Sequence, residues 1–276
     1  MNAWPPLGSV SLHEDKGAFY RGEVRTAPAS APSSRLCALL RGLARDELGG
    51  RGLRDAHLLG SQGLYEALTR ARAAVASSEQ VWAHAGDVAR ALGARDDAWV
   101  LDQPRLRAVG SGLWRDPRAR RAYMTHRDTW YASPRAQVNI WIPLLDVGPT
   151  EGFAVYPGWF DAPIENDSGS FDYARWAAAV GFQSSAPAEA EAFPESSVVL
   201  SPRHARRVRA RAGQVVVFSG AHLHATMGHD SGRTRWSVDM RLVCLDDARA
   251  GLGAPDPDNL SRGSTLPDFL PLGSCR

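Results

Sequence analysis

His126 and Asp128, two apart in Met124-Thr125-His126-Arg127-Asp128-Thr129-Trp130-Tyr131, have the types and spacing of a metal site. In an extended strand, side chains two apart share a face, so both would reach one ion while Arg127 points away. A third donor, His224, follows 96 residues after Asp128. Two imidazoles and one carboxylate suit ferrous iron, and three protein ligands leave positions of an octahedral ion open for a cosubstrate and dioxygen.

A His-x-Asp pair alone is a weak signal; the ordered set is what carries weight. Arg235 stands eleven residues after His224, and Ser237 two further on, on the same face of an expected strand. Arginine presents a planar fork of donors that holds a carboxylate in a bidentate pair, and a serine hydroxyl beside it adds a third donor. A surface ion pair is the bland alternative for Arg235. The opposite face, Trp236, Val238, Met240 and Leu242, is apolar and should pack inward. His222, two before His224, would point the same way in an extended segment and competes for the third ligand position. His57, His84, His204 and His229 have no comparable context.

The elements that position these residues fall into two textures. Leu36, Leu39, Leu40 and Leu43 recur at helical spacing over 35–46, and Leu64, Ala67, Leu68, Ala71 and Val75 do so over 61–78. A third helix over 85–92 should end at Gly93, where a left-handed cap is easy. From residue 98 onward, strands replace helices: 99–101, 106–109, the His126 segment, 136–144, 152–156, 214–218 and 235–245, separated by Gly, Pro and Asp turns. That pattern predicts an antiparallel sandwich or small barrel. Between Trp159 and Ala212 it is interrupted by a polar stretch, a helical 171–180 and an Ala/Pro/Glu run through Pro194, the kind of long insertion that often covers a site.

On the stretches 126–131, Gln137-Val138-Asn139-Ile140-Trp141-Ile142-Pro143-Leu144 and 213–241, the chain resembles the Fe(II)- and 2-oxoglutarate-dependent oxygenases of the phytanoyl-CoA dioxygenase-like group. The likeness covers about residues 98–245; the first 97 match only in being helical. It implies a double-stranded β-helix, a jelly-roll core in a mainly β, α+β protein braced by amino-terminal helices. It also implies oxidative decarboxylation of 2-oxoglutarate to succinate and carbon dioxide, with dioxygen as the other cosubstrate and hydrogen abstraction from the substrate.

By that resemblance His126, Asp128 and His224 are the iron ligands, and Arg235, with Ser237 beside it, receives the far carboxylate of 2-oxoglutarate. The group's usual interval from distal histidine to arginine favours His224 over His222, which is left to line the cavity. Asn139 and Trp141 lie where the group places residues around the cosubstrate; a hydrogen bond within the sheet and core packing are their alternatives. Ala225-Thr226 stands after the distal histidine where the group often has glycine. Halogenases with this iron site replace the carboxylate by a small residue so that chloride can bind, so Asp128 points to hydroxylation or a related oxidation. Candidate substrate contacts are Trp130, Tyr131, Arg107 and His222, with Arg127, Trp159 and Phe160 as further possibilities near the mouth. Fold and motif do not name a substrate.

Composition narrows the remaining classes. The 276 residues fit one large domain with appended loops. We expect an arm over 1–34, an oxygenase domain over 35–249 (helical 35–97, jelly roll 98–245, lid-like insertion 159–212) and an irregular tail over 250–276. Basic and acidic residues nearly balance, 32 against 30, which argues against a nucleic-acid partner. The run Arg203 to Arg211 reads either as a basic patch or as a solvated strand or loop. No stretch approaches the roughly 20 apolar residues of a membrane helix, and the first residues lack the order of a secretory signal, so a cytoplasmic protein acting on a small molecule is expected. Cys37, Cys244 and Cys275 read as free thiols. Lys16 is the only lysine, a bias we read as that of a GC-rich bacterial genome. A cupin-like metal-dependent isomerase or small-molecule-binding module is the alternative, and Arg235 with Ser237 counts against it.

Overall fold

The computed structural model describes residues 5–179 and 193–275. Its helices are α1 (Lys16–Tyr20), α2 (Ala31–Asp46), α3 (Gly60–Ser77), α4 (Glu79–Ala91), α5 (Tyr173–Ala179) and α6 (Leu245–Arg249). The strands are β1 (Arg25–Ala27), β2 (Trp99–Leu101), β3 (Arg105–Gly110), β4 (Gln137–Pro143), β5 (Phe153–Val155), β6 (Arg206–Val208), β7 (Val215–Ser219), β8 (His224–Thr226), β9 (Thr234–Cys244) and β10 (Leu270–Pro271).

All the strand pairings are antiparallel. In the larger sheet β3 pairs with β9, β9 with β4 and β4 with β7. In the smaller one, an isolated bridge joins His126 to His224 on β8, β8 pairs with β5, and β5 with β6. Numbered along the chain as β3, the His126 bridge, β4, β5, β6, β7, β8 and β9, the segments run first-eighth-third-sixth in one sheet and second-seventh-fourth-fifth in the other. That alternation between facing sheets is a jelly roll. Strands β1, β2 and β10 widen the larger sheet.

The long strand β9 shows why the layers sit as they do. Trp236, Val238, Met240 and Leu242 pack with Leu36 and Leu40 of α2, Leu64 and Val75 of α3 and Val81 of α4 in one buried cluster. Each such aliphatic side chain contributes about 1.5–3 kcal/mol by leaving water. The helices therefore brace the outer face, and the polar alternates of β9 are turned toward the smaller sheet. Helix starts agree with local chemistry: Ser30 and Ser33 form a capping box at α2, and Ser78 caps α4 by accepting from Val81 N–H at 3.3 Å. Gly93, at φ +80°, ends α4.

The described part of the amino-terminal segment is not a loose arm. Leu12 and Phe19 are wholly buried, β1 pairs with β7, and α2 begins at Ala31 rather than 35. Its apolar residues are too sparse to show a period, and the partners that order it lie far along the chain. The interruption after Trp159 is shorter than expected, because β6 belongs to the core at Arg206–Val208. Residues 180–192 of that insertion lie outside the described residues. The exposed arginines of β6 belong to an edge strand, the solvated-strand reading of the basic run. The tail carries β10 and is tied down by Asp258, described below. All three cysteines are free and buried. Among the described residues no helix is long and apolar enough to cross a membrane.

Ser30→Ala should lower the unfolding free energy by about 1 kcal/mol, read as a lower urea midpoint; an unchanged midpoint would show that the cap does not hold α2.

Candidate metal centre

His126 and His224 face each other across the sheet bridge, each backbone N–H donating to the other's carbonyl at 3.0 and 2.9 Å, with ring centroids 4.3 Å apart. Asp128 is not on a strand as the spacing suggested. It opens a short 3-10 turn over Asp128–Tyr131, and its backbone N–H donates to Gly220 O at 2.9 Å. The two still share a side because Arg127, between them, is extended (φ −109°, ψ 146°) and sends its own side chain the other way.

That side chain is wholly buried. Arg127 Nη1 donates to Ala221 O at 2.6 Å and Phe160 O at 3.3 Å, Nη2 to Ala162 O at 2.9 Å and to Trp159 O, and Nε pairs with Asp258 at 3.2 Å. Burial lowers its pKa, and the Asp258 carboxylate opposes that shift. Asp258 also accepts from Trp130 Nε1 and from Ile164 N–H, each at 2.9 Å. Arg127 and Trp130, expected near the mouth, are thus wholly buried and engaged within the chain.

The imidazoles are oriented by their Nδ1 atoms, which lie 3.0 Å from Met124 O (His126) and 2.9 Å from His222 O (His224). A carbonyl can only accept, so Nδ1 carries the proton and Nε2 keeps its lone pair. His126 Nε2 lies 3.7 Å from Asp128 Oδ1, and one donor atom from each of His126, Asp128 and His224 falls within 4.8 Å of the others. Burial, followed by the neighbouring His224 ring, pushes the His126 pKa down to about 3 against the pull of Asp128, so the ring is a neutral donor near pH 7.

Asp128 is held on one side only. Its Oδ2 accepts from Asn139 Nδ2 at 2.6 Å and Gln137 Nε2 at 2.9 Å, with Arg241 Nε at 3.5 Å. Oδ1 is buried and has no hydrogen-bond partner among the described residues. Burial raises the carboxyl's pKa, but the charge of Arg241 first, with the neighbouring imidazoles and the Asn139 amide, overcomes it, holding the group well below the usual carboxylate range. A buried carboxylate oxygen left without a partner costs roughly 1–3 kcal/mol or more. A divalent ion between Oδ1 and the two Nε2 atoms would remove that cost, and the donor set fits a first-row ion.

Asn139, expected near the cosubstrate, bonds the ligand carboxylate: on β4 it faces Asp128 next to Gln137, whose amide also reaches Asn139 Oδ1 at 2.8 Å. Gln137 and Arg241 were missed by the sequence reading. Their signal is the period of two: Gln137, Asn139 and Trp141 alternate on β4 as Arg235, Ser237, Asp239 and Arg241 do on β9. His222 is also turned away. The tight turn closed by His222 N–H to Ser219 O breaks the extended run, and its ring lies on Phe160 at 4.5 Å with Nε2 3.2 Å from Gly22 O. It anchors the amino-terminal segment instead of lining the site.

Arg235 and Ser237 come together on the inner face of β9. Arg235 is buried, with Nη1 3.3 Å from Glu151 O and the guanidinium carbon 5.8 Å from the Trp141 ring. Its Nε and Ser237 Oγ are buried without partners among the described residues. Burial pushes the Arg235 pKa down to about 10, which leaves it cationic near neutrality. Trp141 is buried edge-on to Phe153 at 5.2 Å. Tyr131 stacks on His126 at 5.1 Å and donates to Pro194 O at 3.1 Å. Arg107 Nε pairs with Asp239 Oδ2 at 2.7 Å.

No protein-family model and no curated protein matches the sequence. Among solved structures the chain is similar to EvdO2 from Micromonospora carbonacea var. aurantiaca complexed with 2-oxoglutarate (14% identity, 86% of this chain and 92% of that one, TM-score 0.48). It is also similar to the non-heme alpha-ketoglutarate-dependent epimerase SnoN from nogalamycin biosynthesis (16% identity, 95% and 98%, TM-score 0.47). A third is the non-heme monooxygenase ThoJ (14% identity, 83% and 77%, TM-score 0.47).

Two outcomes follow. Arg127→Ala leaves Asp258 and four carbonyls without their buried donor and should cost about 3–5 kcal/mol in urea unfolding; a loss below 1 kcal/mol would mean the arginine is not an anchor. Asn139→Ala should weaken Co(II) binding by roughly 10–100-fold in calorimetric titration, whereas equal affinity would separate Asn139 from the metal centre.

Proposed function

We propose that the protein is an Fe(II)- and 2-oxoglutarate-dependent oxygenase that hydroxylates, or carries out a related oxidation on, a small molecule of bacterial specialised metabolism. One observation carries the reading: the His126, Asp128 and His224 group shares the inside of the jelly roll with buried donors on Arg235 and Ser237 that have no partner among the described residues. A metal group alone fits many activities. A buried cationic fork with an idle hydroxyl beside it calls in addition for an anion.

Bound there, ferrous iron supplies a redox-active Lewis acid that couples decarboxylation of 2-oxoglutarate to oxidation of the substrate. The chain's residues do the rest. His126 and His224 present Nε2, and Asp128 presents only Oδ1 because Gln137, Asn139 and Arg241 retain Oδ2. Arg235 and Ser237 hold the far carboxylate of the cosubstrate, with Trp141, Phe153 and Phe218 keeping water from that end. Asp128 is a carboxylate where a halogenating site needs a small residue, which supports hydroxylation.

Anaerobic addition of Fe(II) and 2-oxoglutarate should give a weak visible charge-transfer band, and succinate should form in air. Asp128→Ala or His224→Ala should abolish the band. Arg235→Leu should weaken 2-oxoglutarate binding by tenfold or more while sparing iron. A band that survives loss of either ligand, or 2-oxoglutarate affinity indifferent to Arg235, overturns the reading. Intact iron binding without succinate would return it to a cupin-like isomerase.

A further inference from the structure

The inner face of the larger sheet holds more cationic donors than the proposed chemistry uses. Arg105 and Arg107 on β3 and Arg235 and Arg241 on β9 stand there against Asp102, Asp128 and Asp239. Asp102 takes Arg105 at 2.7 Å and Arg241 at 3.5 Å, and Arg241 also flanks Asp128. Arg235 is assigned to the cosubstrate. Arg107 differs: Asp239 engages its Nε at 2.7 Å, and among the described residues no hydrogen bond reaches its terminal nitrogens.

Arg107 is also placed to meet an incoming molecule. Its register partner is Ser237, so it shares a face with Ser237 and Arg235. Its side chain is 38% exposed, whereas Arg235 and Ser237 are 4% and 0% exposed. Arg107 is therefore the more solvent-accessible cation of that face, and Arg235 the deeper one. Pairing with Asp239 engages the guanidinium through Nε and leaves the two terminal nitrogens, coplanar with it, for a second carboxylate.

We propose that Arg107 is a specificity-determining residue that anchors a carboxylate of the substrate, so that the enzyme acts on a small carboxylic acid. This rests on the oxygenase reading for the place of the reaction but not for the binding itself. The test uses the full chain loaded with Co(II) and 2-oxoglutarate, titrated with a panel of small aromatic and alicyclic carboxylic acids, each matched with its primary amide. Acids should bind more tightly than their amides. Arg107→Gln should remove that preference, with acid affinity falling about tenfold or more, and Arg107→Lys should restore part of it. Arg107→Gln combined with Asp239→Asn keeps the pair neutral, so loss of acid binding there is not a folding defect from an orphaned aspartate. In each variant 2-oxoglutarate affinity should stay within about twofold of the parent, since the fork at Arg235 is intact. Amides that bind as well as acids, no preference anywhere in the panel, or a 2-oxoglutarate affinity that falls with Arg107 would each overturn the assignment. Failure of the oxygenase reading shows separately, as no charge-transfer band with Fe(II), whatever the acids do.

Discussion

A wholly buried arginine between two candidate ligands is the constraint on which the centre depends. Arg127 cannot turn toward the site, because its donors are engaged by carbonyls of Ala221 and of residues 159–162 and by Asp258. The contacts come from three parts of the chain: the turn before β8, the base of the insertion, and the tail. The cation fixes the peptide on which His126 and Asp128 sit and sets its distance from the turn leading to His224. Removing one side of such a buried pair is costly because the remaining charge has nowhere to go.

The second determinant is how β4 and β9 divide their faces. Every other residue of β9 from Trp236 to Leu242 is apolar and packs on the helices, so the intervening Arg235, Ser237, Asp239 and Arg241 are delivered to one side at a spacing of about 7 Å along the strand. Gln137 and Asn139 arrive from β4 in the same way and meet Asp128. Two amides and a guanidinium on one oxygen make Asp128 a one-sided donor, and the same side's charges keep it ionised although it is buried. Polar groups inside the jelly roll are thus organised by strand period, with the helices supplying the apolar surface that makes the period energetically decisive.

Legibility in the sequence followed the range of the interaction. The helices and the two-faced β9 were readable because periodicity is local, and the ordered set His126, Asp128, His224, Arg235 and Ser237 was readable because strand order and spacing bring it forward. What was not readable depends on distant partners. A strand was expected to carry both His126 and Asp128, but the hydrogen bond to Gly220 turns the chain at Asp128. His222 competed with His224 on its two-residue spacing and lost only by the interval to Arg235; the turn at Ser219, which separates them, is not visible locally. Arg127 and Trp130 looked like mouth residues because nothing local reveals Asp258. The amino-terminal segment looked loose because β7, which orders β1, lies at the other end of the core.

Diffraction from crystals soaked with Co(II) and 2-oxoglutarate, with anomalous scattering used to place the metal, tests the central claim most directly. The account predicts one strong peak with His126 Nε2, His224 Nε2 and Asp128 Oδ1 as its only protein ligands, with Oδ2 still held by Asn139 and Gln137 and the far carboxylate of 2-oxoglutarate on Arg235. A peak at His222, coordination through Asp128 Oδ2, or 2-oxoglutarate bound away from Arg235 would contradict it.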